Sequence, residues 1–269
     1  MMKHRYFGLV FGALILAASL MPLAAQATPS SNSAVLHLRV FNDCPISTLT
    51  SVNNYPSTIS ISDTDLECFG FTNLHNWHLS SNGATDDEFA NNSCFTIACD
   101  FMLEGATGGE GGLMLSPWWS PDVDGRFNVR DTDGEIACFG GRLPFYTFTG
   151  AFGLHYIKGT PIHMSMTYTP NDLSSSNPAT ITYSVIYAGT PYTSGPLAFD
   201  QGNPSEDPPH GQWGMLNFGR VGGYYNAFNQ GGNPAASVIA TWSNITYDTC
   251  QKPTPTKTST WGQIKGLYR

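Results

Sequence analysis

Between residues 111 and 247, apolar and polar side chains alternate in short runs, and Gly, Pro and Asp-Gly turns interrupt each run. A period of two sends successive side chains to opposite faces of a strand. No run keeps the 3.6-residue period of an amphipathic helix. The expectation is an all-β chain, an antiparallel sandwich of two sheets. The 28 glycines and 18 prolines fit a turn-rich β-protein better than a helical one.

Two different segments flank this region. At the N-terminus Lys3, His4 and Arg5 precede an apolar run over 6–20, and Ala25-Gln26-Ala27 fits a small-x-small cleavage box. Residues 1–27 therefore read as a signal peptide, too short in its apolar part to span a bilayer comfortably. The chain is expected to be secreted, extracellular or at the cell surface, with no transmembrane span after Thr28. At the C-terminus residues 251–269 form a Thr/Pro/Lys linker that ends in WGQIKGLYR. This tail resembles short sorting tails of secreted bacterial proteins, which implies secretion or sorting machinery as its partner. Packing back on the domain is the alternative. The domain itself spans 28–250.

Charge narrows the partners. From Thr28 to Cys250 there are six bases against all 20 acids, a formal −14. Such a body repels phosphate backbones, so nucleic acid is not an expected partner. Only 12% of residues are charged. The surface is built largely from hydroxyls and amides, which suits an extracellular protein.

Cysteines 44, 68, 94, 99, 138 and 250 suggest disulfides in a secreted chain. Sequence leaves their connectivity open. Cys44 with Cys68 is the favoured pair, as a staple of the N-terminal loops. If 94–99 is uninterrupted strand, a direct Cys94 to Cys99 bond is out of reach. No CxxC pair supports structural zinc.

Strands are expected at 35–41, 58–62, 77–80, 95–103, 113–115, 162–168, 179–188, 192–199, 213–218 and 238–247, with GATGGEGG (105–112) as a turn. The clearest local element is a hairpin: 126–131, an Asp133-Gly134 turn that suits type I′ geometry, and 135–139. Counting outward from the turn pairs Val129 with Cys138. Phe127, Val129 and Cys138 then face the core, while Arg126, Asn128 and Arg130 share the other face.

Just before the hairpin, PWWSPDVDGR (117–126) gathers indoles, carboxylates and a guanidinium. An exposed indole can stack on a sugar ring while charged groups grip hydroxyls. Trp118, Trp119, Asp122, Asp124, Arg126, Asn128 and Arg130 are therefore candidate ligand-binding residues. Trp213 with Tyr224 and Tyr225 forms a second aromatic set. The alternative for Trp118 and Trp119 is that they plug the end of the sandwich. Asp122 and Asp124 are also a candidate calcium pair, although they lack EF-hand spacing. No other cofactor is indicated.

Catalytic residues are not identifiable. Glycoside hydrolysis needs two carboxylates at about 5 to 9 Å, and no ExDxxE triplet occurs; Asp200, Glu206 and Glu110 converge only if the fold brings them together. The seven histidines are scattered, so a transition-metal site can arise only through folding.

FNDC (41–44), PWWSPDVDGRFNV (117–129), DGEIACFGGRLPFYTF (133–148), DPPHGQWGMLN (207–217) and ATWSNITY (240–247) resemble runs in secreted bacterial proteins of concanavalin-A-like, laminin-G-like type. The resemblance implies a jelly-roll sandwich and a rim that often holds calcium. The wider group contains lectins, hydrolases, lyases and adhesion modules. A carbohydrate-binding module with a glycan or cell-surface polysaccharide partner is the favoured function. A polysaccharide-degrading hydrolase or lyase, and a structural adhesion protein without sugar specificity, remain the alternatives.

Overall fold

The structure is a computed structural model that describes residues 27–68, 71–116, 125–202, 213–229 and 235–250. The candidate residues Trp118, Trp119, Asp122 and Asp124, the signal segment up to residue 26 and the tail from residue 251 lie outside the described residues.

Fourteen strands form two antiparallel sheets of seven, a jelly-roll sandwich. Along the chain they are β1 (Ser33–Asn42), β2 (Thr48–Asn54), β3 (Thr58–Thr64), β4 (Phe71–Ser80), β5 (Phe95–Glu104), β6 (Gly108–Ser116), β7 (Gly125–Arg130), β8 (Ile136–Phe139), β9 (Tyr146–Thr147), β10 (Ile162–Thr169), β11 (Thr180–Tyr187), β12 (Thr190–Ala198), β13 (Arg220–Asn229) and β14 (Ser237–Thr249). A five-residue helix, α1 (Phe148–Phe152), follows β9. The first sheet runs β1-β4-β13-β6-β7-β8-β9, and the second β12-β11-β10-β5-β14-β3-β2. Among the described residues no helix is long and apolar enough to cross a membrane.

The period-two pattern becomes a core wherever both sheets turn an apolar face inward. β10 alternates buried Ile162, Met164, Met166 and Tyr168 with half-exposed His163, Ser165 and Thr167. In β14, Val238, Ala240 and Trp242 point into the same interior. The Trp242 indole meets Trp77 of β4 edge-on, with centroids 6.1 Å apart, and donates to the Gly112 carbonyl at 2.9 Å.

That indole explains two departures from the sequence reading. Residues 108–112 are strand, not turn, and β13 is an additional strand. Glycine at these positions makes room for rings from the facing sheet and, at Gly223, for Trp77 of the neighbouring strand β4. A Cβ on Gly223 would lie 2.5 Å from Nε1 of Trp77 and 2.6 Å from Nε1 of Trp242. A Cβ on Gly111 would lie 2.8 Å from Phe101 of β5. Glycine here serves close packing within a strand.

Two further expectations are corrected. Segment 213–218 is not a strand: Trp213 and Phe218 both have positive φ, 59° and 64°. Trp213 N–H donates to Asp200 while its carbonyl accepts from Ala179, so it bridges two segments and extends neither. The hairpin has the expected faces but a different register. Val129 pairs with Ile136, Phe127 with Cys138, and Arg130 N–H donates to Glu135, which leaves residues 131–134 as the loop. Asp131 turns away because its backbone and side chain both bond to Gly109 of β6. A shift of two residues keeps every side chain on its face.

Cys44 is bonded to Cys68, and Cys94 to Cys250. Cys94 precedes β5 and Cys99 is buried within it, so those two do not pair; Cys99 and Cys138 are free and buried. Near the first bridge, a polar knot crosses the interior. Asp63 of β3 accepts from Asn73 at 2.8 Å and contacts His75 Nε2 at 3.3 Å, all three fully buried. Arg39 N–H donates to His75 Nδ1 at 3.0 Å, which leaves the ring proton on Nε2 facing Asp63.

Candidate functional site

Strand register defines the outer face of the first sheet, because directly paired residues share a face. One row across it reads His37, Asn76, Tyr224, Gly112, Asn128, Ala137. The row on one side reads Val35, His78, Gly222, Met114, Arg126, Phe139. The row on the other side holds Leu74, Asn226, Glu110 and Arg130. The outer face of a sandwich sheet is normally solvated, yet Asn76, Asn128 and Tyr224 are at most 1% exposed.

The centre of this face is one charged network. Arg126 donates to Glu110 Oε1 at 3.0 Å, and Asn128 donates to Glu110 Oε2 at 3.3 Å. The Arg126 guanidinium lies over the Tyr224 ring, 5.4 Å from its centroid. Leu74, Met114 and Tyr224 form a small apolar cluster beneath it. Arg130 closes the hairpin end, donating to both oxygens of Asp133 and to Glu135. Arg126 and Arg130 each keep 29% of the side chain exposed.

Burial raises the Glu110 carboxyl above its ordinary value, against the opposing charges of Arg126 and Arg130. Burial also holds the Tyr224 phenol well above its usual range, with the Glu110 charge adding to the effect. That phenol stays protonated at neutral pH. Three polar atoms of the network, Asn128 Oδ1, Tyr224 Oη and Asn226 Oδ1, are buried without a hydrogen-bond partner among the described residues. Asn128 stands beside the Tyr224 hydroxyl without completing a bond to it. A buried polar atom left unpaired costs about 1–3 kcal/mol, and sites that accumulate them are commonly sites for a polar ligand or water.

Of the candidates within the described residues, Arg126, Asn128, Arg130 and Tyr224 come together. Tyr224 is fully buried and supports Arg126 from below; the surface is offered by Arg126, Arg130 and Asn226. Trp213 does not join them, because its backbone is tied to Asp200 and Ala179. Tyr225 faces the opposite way and stacks on His75 at 5.0 Å. Glu110 and Asp200 serve different arginines, Asp200 being paired with Arg142 at 2.6 Å. Glu110 and Asn226 were hidden from a binding-site reading by the glycines around them; the alternation of Tyr224 and Asn226 against Tyr225 and Ala227 was the available signal.

The outer face of the second sheet is different in kind. A shallow groove there is lined by His163, Ser165, Ser184, Ile186, Pro191 and Tyr192. Its charged pair, His163 with Asp100 at 2.8 Å, is exposed by about a third on each side.

No protein-family model and no curated protein matches the sequence. Some solved structures are similar in part. An alginate lyase from Klebsiella pneumoniae is similar at 11% identity and a TM-score of 0.40, over 76% of this chain and 84% of that one. The carbohydrate-binding module CBM66 from Bacillus subtilis is similar at 10% identity and a TM-score of 0.37, over 83% and 98%. The carbohydrate recognition domain of Emp46p is similar at 11% identity and a TM-score of 0.40, over 73% and 86%. At this identity the likeness concerns architecture alone.

Proposed function

We propose that this chain is a secreted carbohydrate-binding module that holds a glycan on the outer face of its first sheet. The observation that carries this reading is the network of Glu110, Asn128, Tyr224 and Asn226 beneath Arg126 and Arg130, whose side chains each stay 29% exposed. A polyhydroxyl ligand supplies donors and acceptors at sugar-ring spacing, and the half-exposed guanidiniums offer it fixed donors. PWWSPDVD (117–124) directly precedes β7 in sequence. Trp118 and Trp119 are proposed as its stacking residues, and Asp122 and Asp124 as further polar contacts with calcium as a candidate ion. Two disulfides suit an oxidising compartment. The signal segment and the tail are proposed to deliver and sort the protein there.

The network favours binding over degradation. A base is required for lyase chemistry, and burial keeps the Tyr224 proton in place. Hydrolysis requires a carboxylate pair, and the carboxylate bonded to both Arg126 and Asn128 is Glu110, while Asp133 and Glu135 are engaged by Arg130. A glycan array with the purified 28–269 chain tests the reading, and reducing-sugar release from mixed polysaccharides tests the degradative alternative. Retention of defined glycans without release of reducing ends is the expected result. An array with no positive glycan favours a structural adhesion role.

A further inference from the structure

At the β1–β4 side of the same face, three side chains far apart in sequence converge. His37 of β1 and His78 of β4 are diagonal neighbours, since Val35 pairs with His78 and His37 with Asn76. Asp86, from the loop after β4, reaches between them. His37 Nε2 lies 2.7 Å from Asp86 Oδ1, and His78 Nδ1 lies 2.8 Å from Asp86 Oδ2. The ring centroids are 4.5 Å apart, and the ligand atoms of all three residues lie within 4.8 Å of one another.

We propose that His37, His78 and Asp86 form a zinc site whose fourth coordination position opens on the outer face of the first sheet.

The donor set is right for the ion. Imidazole and carboxylate bind zinc at roughly 2.0–2.2 Å, and three protein ligands with one open position is the arrangement of zinc sites that exchange water or ligand. Ligand atoms around tetrahedral zinc stand roughly 3.3 Å apart, between the 2.7 and 2.8 Å of the present hydrogen bonds and the 4.8 Å within which all three donors lie. Each neutral ring then carries its single proton on the nitrogen away from the metal.

The support is also in place. His78 has 2% of its side chain exposed, Asp86 17% and His37 34%, so two ligands are fixed and the third faces the entry path. The loop that presents Asp86 is bonded down on both sides. Asp87 N–H donates to Leu79, and the Asp87 carboxylate accepts from Ser31 at 2.6 Å and Ser81 at 2.8 Å. Ser80 and Asn82 cap the loop's backbone donors. Groups that hold first ligands in place matter for affinity. Arg220 is the opposing charge, with Nε 3.9 Å from Asp86 Oδ2, but its guanidinium is neutralised by Glu88 at 2.8 Å.

Three strand steps of roughly 4.8 Å separate His78 from Arg126 on one row, about 14 Å. The metal site is distinct from the glycan network and does not depend on it.

The test is zinc chloride titrated calorimetrically into the chelator-stripped 28–269 chain, with melting temperature as a second readout. One zinc should bind with micromolar or tighter affinity and raise the melting temperature. His37→Ala, at a partly exposed position that the fold tolerates, should weaken binding by more than the roughly 10–100-fold attributed to outer-sphere partners. Asp86→Asn, which keeps the shape and most hydrogen bonding, should do likewise. Cobalt(II) should give a visible absorption band in the wild type that His37→Ala loses. Absence of zinc binding to the wild type, or binding that His37→Ala and Asp86→Asn leave unchanged, overturns the proposal.

Discussion

The guanidinium carbon of Arg126 stands 5.4 Å from the centroid of the Tyr224 ring, and the hydroxyl of that ring has no hydrogen-bond partner among the described residues. The ring therefore works through its face, as a support for a cation, while its polar end is left unpaired in a buried position. Tyr224→Phe keeps the face and removes the orphan. It should leave stability unchanged or raise it by about 1 kcal/mol in urea unfolding. A loss greater than about 1 kcal/mol would show that the hydroxyl is bonded in the free protein.

Glu110 gives a pH signature. Its folded-state carboxyl is raised, so the folded protein holds that proton more tightly than the unfolded chain. The stabilisation is fully present below the ordinary glutamate value of roughly 4.3 and is lost as pH rises through the folded value. The stability of wild type minus that of Glu110→Gln should therefore fall as pH rises above about 4. A difference that rises instead would mean Arg126 outweighs burial.

The two disulfides should differ in weight. The Cys94–Cys250 bridge closes 156 residues and the Cys44–Cys68 bridge 24. Loop entropy assigns about 5 kcal/mol to the longer and about 3 kcal/mol to the shorter. Replacing Cys94 and Cys250 by Ser should lower stability more than the same change at Cys44 and Cys68. Peptide mapping of non-reduced protein should recover both pairs and leave Cys99 and Cys138 as thiols.

Gly223→Ala tests the packing of the two indoles. A methyl there would lie 2.5 Å from Nε1 of Trp77 and 2.6 Å from Nε1 of Trp242. Both rings are fully buried and neither has room to retreat. The variant should lose about 1–3 kcal/mol, with altered tryptophan fluorescence.

Sequence displayed much of this architecture because alternation is written locally. β10, β11 and β14 alternate cleanly, and the faces of the hairpin follow from Phe127 and Val129 alone. Cys44 and Cys68 are neighbours in the cysteine order and were the favoured pair, although the stretch between them is the β2–β3 hairpin and not a run of loops. β13 and the glycine-rich first half of β6 were not readable, since Gly111 and Gly223 owe their identity to rings of β5, β14 and β4 that sequence does not place beside them. Asp131 shifted the hairpin register through bonds to Gly109, another strand's residue. The same limit hid the sites. Arg126 and Asn128 were visible as neighbours on one strand. Glu110, Asn226 and Tyr224 join them only through strand order, as His37, His78 and Asp86 join one another.

The most direct test of the glycan-binding face compares two surfaces of one protein. A glycan that the array selects is titrated by calorimetry into wild type, Arg126→Gln, Asn226→Ala and Tyr192→Ala. Tyr192 lies in the groove on the outer face of the second sheet. A single site of this kind has an affinity near millimolar, about −4 kcal/mol. Binding should disappear in Arg126→Gln and Asn226→Ala and persist in Tyr192→Ala. Loss in Tyr192→Ala with retention in the other two would contradict the account and move the ligand to the second sheet.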